Sequence, residues 1–162
     1  MSKKRRKSAR VAQSPKAAKI PKFGESPDTR KRAHVAEDPS GYADDKPVWT
    51  IGLFDVDGPW GRSTIDDDTL WKKILSKLKS YESMTWKEIS ANPGYNHSVS
   101  VSEMIREAQK RLEELNLDDQ DELYRLRMNG KLRLWGIRDR NILRLLWWDR
   151  EHEICPSQKK HT

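Results

Sequence analysis

Between Leu123 and Ile154 apolar and basic residues alternate with a period of two, and Asn129-Gly130 and Asp139-Arg140-Asn141 interrupt the alternation at turn positions. This predicts three antiparallel strands. A two-residue Asn129-Gly130 loop pairs Leu126 with Arg133 and Arg127 with Leu132, which mixes arginine and leucine on both faces. A three-residue Met128-Asn129-Gly130 loop, with its glycine left-handed, pairs Leu126 with Leu132 and Tyr124 with Leu134. Only the second register separates the chemistry. It puts Tyr124, Leu126, Leu132 and Leu134 on face one and, with Ile137 opposite Ile142, continues that face through Leu143, Leu145 and Trp147. Face two then carries Arg125, Arg127, Lys131, Arg133, Trp135, Arg144, Leu146 and Trp148, and an unbroken third strand adds Arg150 and His152.

Upstream, Val48–Phe54 reads as a strand. Asp66 to Asp68 suit the positive end of a helix whose stripe is Leu70, Ile74, Leu75, Leu78 and Tyr81. Thr85 and Glu88 have capping-box spacing for a short helical turn that Asn92-Pro93-Gly94 stops. A second helix is expected from near Ser100, with Glu103 as box partner, burying Val101, Met104, Ile105, Ala108, Leu112 and Leu115. The predicted fold is α+β: a strand, a helical hairpin and a three-stranded antiparallel meander, in two layers with the helices on face one and face two open.

Composition divides the chain further. Residues 1–45 hold too few large apolar side chains to offset ordering the backbone and read as a disordered basic tail, residues 46–157 as the domain, and 158–162 as a short basic tail. The K-K-R-R-K opening suits an electrostatic tether to nucleic acid, or a nuclear-localisation signal. A net charge of +7 and a pI near 9.5 favour a polyanionic partner, nucleic acid first. The single cysteine, Cys155, excludes an internal disulfide framework and a multi-cysteine zinc site. No apolar run approaches the ~18 residues of a membrane span, so the expectation is a soluble, cytoplasmic protein with no cofactor and no metal.

Two local patterns carry chemistry if read alone. Asp55-Val56-Asp57-Gly58 after a strand matches the opening of haloacid dehalogenase phosphatases, but those need a parallel sheet with further acidic strand ends. The stretch is therefore read as a turn, with Gly58 and Gly61 supplying unusual dihedrals. His97, with no cysteine or second histidine near it in sequence, reads as a surface residue. Face two is the better candidate. Its cations interleave with Trp135 and Trp148, so guanidinium groups are set to pair phosphates and indoles to stack on bases, as an RNA surface requires. The competing reading is a solvated outer face with snorkelling arginines.

The order of elements, with Leu123-Tyr124-Arg125-Leu126-Arg127, the Gly130-Lys131-x-Arg133-Leu134 that starts the next strand, the apolar strand Ile142 to Trp148 and the polar Asp149 to Glu153, resembles the RelE/ParE superfamily of bacterial toxins. The resemblance implies a toxin that cleaves messenger RNA on the ribosome without metal, or a ParE-like member directed at gyrase, and in either case an antitoxin partner. It implies that Arg133 stabilises the cleavage transition state, that Lys131 and Arg127 bind phosphate, and that Arg150 and His152 supply the last basic and general acid/base groups. Cys155 stands where many nuclease members carry a tyrosine, which leaves base stacking to Trp135 or Trp148. Arg125 and Arg144 complete the expected phosphate-binding set. A protein-interaction module with a basic face is the remaining alternative.

Overall fold

Three antiparallel strands run where the alternation predicts: β3 (Glu122–Asn129), β4 (Leu132–Asp139) and β5 (Ile142–Asp149). A computed structural model describes residues 39–156, Pro93 excepted. Two further strands extend the sheet. β1 (Val48–Thr50) lies parallel to β5, and β2 (His97–Ser100) lies antiparallel to β3, giving a five-stranded mixed sheet in the order β1-β5-β4-β3-β2.

The register differs from the expected one in an instructive way. Leu126 faces Leu134 and Arg127 faces Arg133, a shift of two residues that keeps every side chain of β3 and β4 on its predicted face. The hairpin closes on Asn129 opposite Leu132, with a bulge between Arg127 and Asn129, and Gly130 takes the left-handed conformation (φ 50°). In the second hairpin Asp139, not Ile137, faces Ile142. Trp135 then faces Trp147 while its neighbour Gly136 faces Leu145, so Leu146 is an extra residue on β5. Such a bulge inverts the alternation beyond it. Trp147 therefore joins face two and Trp148 face one, the reverse of the prediction.

Face two is not open along its length. Helix α1 (Ser76–Glu82), entered through a π-helical segment Thr69–Leu75, and the short α2 (Trp86–Ser90) supply Ile74, Leu78, Tyr81, Trp86 and Ile89 to the face-one core. The capping box at Thr85 and Glu88 forms in both directions, and the first N–H groups of α2 donate to the carbonyls of Asp45 and Ala43. Those contacts put residues 43–45 in the fold, ahead of the expected boundary at 46; the remainder of the predicted tail up to residue 38 and the segment 158–162 lie outside the described residues. The second predicted helix begins late. Ser100 ends β2, and α3 runs from Arg106 to Glu114. Because β2 takes the chain to the sheet's far edge, α3 lands on face two, where Met104, Ala108 and Leu112 pack with Trp60, Leu123, Trp135, Ile137 and Trp147. The sheet is thus covered on both sides. Among the described residues no helix is long and apolar enough to cross a membrane.

The Asp55 turn braces this arrangement. Asp55 is buried and accepts from Arg111 of α3 at both oxygens (2.8 and 2.7 Å), from the Gly58 amide (3.1 Å) and from the Trp147 indole (3.2 Å). With both oxygens occupied it is a structural anchor, more than the turn residue the sequence suggested and unlike a nucleophile. Gly58 and Gly61 serve by lacking a side chain, not by unusual dihedrals. A Cβ on Gly58 would meet Asp55 Oδ2, and Gly61 has an ordinary φ of −86°.

Candidate functional site

One end of face two escapes α3. There β3 and β4 set Arg127 beside Arg133 and Arg125 beside Trp135, while β2 sets His97 beside Arg125. Asp149, the last residue of β5, faces Arg133 and is fully buried. Its Oδ1 accepts from the Glu153 amide (2.8 Å), and its Oδ2 from the Ile154 amide (3.2 Å) and the Trp135 indole (3.3 Å). The carboxylate thereby folds the chain back over the sheet in a tight turn. The Ile105 amide, next to the start of α3, donates to the Ile154 carbonyl and ties that turn down. His152 stands at its crest in the left-handed conformation (φ 62°), uncommon for a residue with a Cβ.

The turn delivers His152 to Arg125. Arg125 Nη1 donates to His152 Nε2 (3.0 Å) and Nη2 donates to His97 Nε2 (3.2 Å). Guanidinium has donors only, so each imidazole must present a lone pair on Nε2 and be neutral in this arrangement. Burial, with Arg133 and Arg125 nearby, holds the His152 titration below the usual histidine range.

The two arginines are unusual in their own right. Arg125 and Arg133 are 8% and 9% exposed, and each has a buried Nε with no hydrogen-bond partner. Arg133 Nη1 donates to the carbonyls of Gly130 and Leu132 (2.8 and 2.9 Å), and neither guanidinium makes a salt bridge among the described residues. Burial pulls both pKa values down, with mutual repulsion from Arg125 and Arg127 adding to the effect at Arg133. Asp149 offsets some of this charge, but its oxygens are already engaged. Buried cations with idle donors are costly unless an anion comes to them.

The sequence-predicted residues divide accordingly. Arg125, Arg127, Arg133 and His152 come together. Lys131 sits exposed at the rim, paired with Glu151 (3.3 Å), and Arg150 is exposed just past β5. Arg144 faces Ile137, four residue pairs along the ladder from Arg133 and Asp149, and lines a separate cavity of about 720 Å³ with Asp55 and Arg111. At ~3.3 Å per residue that is too far to share one phosphate. Trp135 and Trp148 are interior residues, at 0% and 2% exposure, and cannot stack on bases. Trp135 lies beneath α3 on face two, whereas the bulge at Leu146 turns Trp148 into the face-one core. His97, read as a surface residue, belongs to the site. Only the β2–β3 pairing reveals it, since nothing close in sequence marks it. Among the described residues no group of three or more His, Cys, Asp or Glu is placed to hold a metal ion.

The sequence profile of the family described as Uncharacterised protein UU032 matches residues 64–162, more than half of the chain. The chain belongs to that family. In this UU032-family chain the match takes in α1 to β5 and the whole Arg125–Arg133–His152 corner, and leaves out β1 and the Asp55 turn. No curated protein and no solved structure matches it.

Proposed function

We propose that the basic corner binds the phosphodiester backbone of RNA and cleaves it without metal, in the manner implied by the RelE/ParE resemblance. What supports this reading is one observation: two buried guanidinium groups with unused donors lie beside an imidazole that the same geometry keeps neutral. An entering phosphate offers the acceptors that Arg125 and Arg133 lack and draws Arg125 off His152. The freed Nε2 can then take the proton of the 2′ hydroxyl as its oxygen attacks phosphorus and the bond to the 5′ oxygen breaks, with a proton from water reaching the leaving group. Charge building on the phosphorane meets Arg133 and Arg125. The same reading makes messenger RNA, on or off the ribosome, the substrate and a cognate antitoxin protein the expected partner.

The test is cleavage of single-stranded RNA, with and without ribosomes, in the presence of chelator, together with mapping of transcript 5′ ends after induced expression. His152→Gln should slow cleavage by about 10²- to 10⁴-fold while RNA binding persists. Arg133→Ala should lose both cleavage and much of the affinity. A substrate with a 2′-deoxy sugar at the cut site should be inert. RNA bound but never cut, with equal losses of affinity in the two variants, would replace the nuclease by a non-catalytic nucleic-acid-binding protein.

A further inference from the structure

The β2–β3 register, carried two residues back from the His97–Arg125 pair, sets Tyr95 opposite Arg127. The side chains meet, with the Arg127 guanidinium carbon 4.2 Å from the Tyr95 ring centroid. Tyr95 is 45% exposed, one of few large apolar side chains left to solvent. It is nevertheless held firmly. The Tyr95 amide donates to the Asn92 carbonyl, and the next residue, Asn96, is buried, donating to the Ile89 carbonyl (2.8 Å) and accepting from the Arg127 amide (2.8 Å). From the other side, the Tyr81 hydroxyl donates to the Arg127 carbonyl (2.6 Å). A polar cleft of about 390 Å³ opens beside the ring, lined by Lys77, Asn96, Arg127, Asn129 and Gly130. Asn129 and Gly130 are exposed at the hairpin tip.

We propose that Tyr95 and Arg127 form a nucleobase subsite that takes one unpaired base of single-stranded RNA, adjoining the phosphate held by Arg125 and Arg133; this rests on the phosphodiester reading above. Arg127 is the direct cross-strand neighbour of Arg133, so the subsite lies one strand spacing, ~4.8 Å, from the phosphate cluster. Arg127 covers one side of the tyrosine ring and leaves the rest of it to solvent, and a base stacked there adds to a platform whose ordering is already complete. Lys77 supplies a cation for a flanking phosphate. A base within a duplex cannot present its face, which restricts the substrate to single strands. This is the stacking role that the interior tryptophans cannot fill.

Binding of the full chain to 2′-O-methyl RNA, which cannot be cut through its 2′ oxygen, tests the proposal when compared with the same backbone carrying abasic sugars. Tyr95→Leu should weaken binding of the base-containing strand by about 5- to 100-fold, the range of one base–aromatic stack, and leave the abasic strand unaffected. Tyr95→Trp should restore the difference, and Arg133→Ala should weaken both ligands. If Tyr95→Leu changes neither affinity, or lowers both equally, the subsite is refuted while the Arg133 dependence keeps the phosphodiester reading. If the unaltered chain binds neither strand, the phosphodiester reading itself fails and the subsite with it.

Discussion

Asp149 should be the residue on which both the fold and the site turn. In Asp149→Ala the Trp135 indole N–H and the Ile154 amide, both buried, lose their acceptor, and the part-buried Glu153 amide loses its own. A buried donor left unpaired costs about 1 to 3 kcal/mol, whereas the Glu153 amide can turn to water. Two such losses, with partial relaxation, give an expected destabilisation of about 3 to 5 kcal/mol. Removing the carboxylate also strips Arg125 and Arg133 of a nearby compensating charge. Urea unfolding followed by tryptophan fluorescence should show the midpoint falling with the slope unchanged. A second readout separates positioning from mere stability. With the turn released, His152 leaves the two arginines, and its titration, followed by NMR on the folded fraction, should rise toward the usual histidine value of about 6.5. A loss below about 1 kcal/mol, or an unmoved His152 titration, would refute the claim that this carboxylate builds the corner.

Asp55→Ala should cost about 3 to 5 kcal/mol, because it leaves Arg111 and the Trp147 indole facing an empty acceptor site; a double-mutant cycle with Arg111→Met should show strong coupling. Burial works to raise the Asp55 pKa, but the Arg111 and Gly58 hydrogen bonds prevail and hold it below the usual carboxylate range. Its contribution is therefore complete above the unfolded carboxylate value and is lost as pH falls through the lowered folded one, so the acid limb of the stability curve should flatten in Asp55→Ala. Gly136→Ala should destabilise by at least about 1 to 3 kcal/mol in thermal melts, since its Cβ would stand 2.5 Å from the Arg144 carbonyl oxygen, a backbone atom with little room to yield.

What the sequence made legible was alternation, and alternation survives some errors and not others. The β3–β4 register differs from the expected one by two residues, an even number, so Leu126 and Leu134 still reach the face-one core and Arg125, Arg127 and Arg133 still share face two. The bulge at Leu146 adds a single residue, and everything after it changes sides. No local composition announces it, because Leu145, Leu146, Trp147 and Trp148 are apolar in unbroken succession and give no parity to read. Strand β2 was equally hidden. His97–Ser100 has one buried residue, Val99, and its hydroxyl-rich sequence reads as a helix cap unless the long-range partner Leu123 is known. Without β2, α3 falls on the wrong face and Trp135 reads as exposed, whereas the expected exposure of Trp148 fails at the bulge, which turns that side chain into the face-one core. The capping box of α2, by contrast, depends on residues three apart and was readable without tertiary information.

The feature that defeated the pattern reading also shapes the site. Had β5 kept its alternation from Leu145 onward, Asp149 would fall on face one, away from Arg133, and the carboxylate that turns the chain would be absent from face two. The bulge instead brings Leu146 and Trp147 together into the face-two core and sets Asp149 opposite Arg133. The Leu146 carbonyl, which belongs to the extra residue, accepts from the Asp55 amide at 3.0 Å, and the Trp148 amide donates to the Trp60 carbonyl at 2.8 Å. The irregular strand is thus stitched to the Asp55 turn. That turn is in turn locked to α3 through Arg111. The position of His152 over Arg125 consequently depends on contacts from both ends of the chain segment: the Asp55 anchor fixes the bulge, the bulge fixes the side on which Asp149 emerges, and Asp149 fixes the turn that carries the imidazole. A short basic motif on β3 and β4 supplies the charge, but the geometry that makes it a site is distributed over residues 55 to 154.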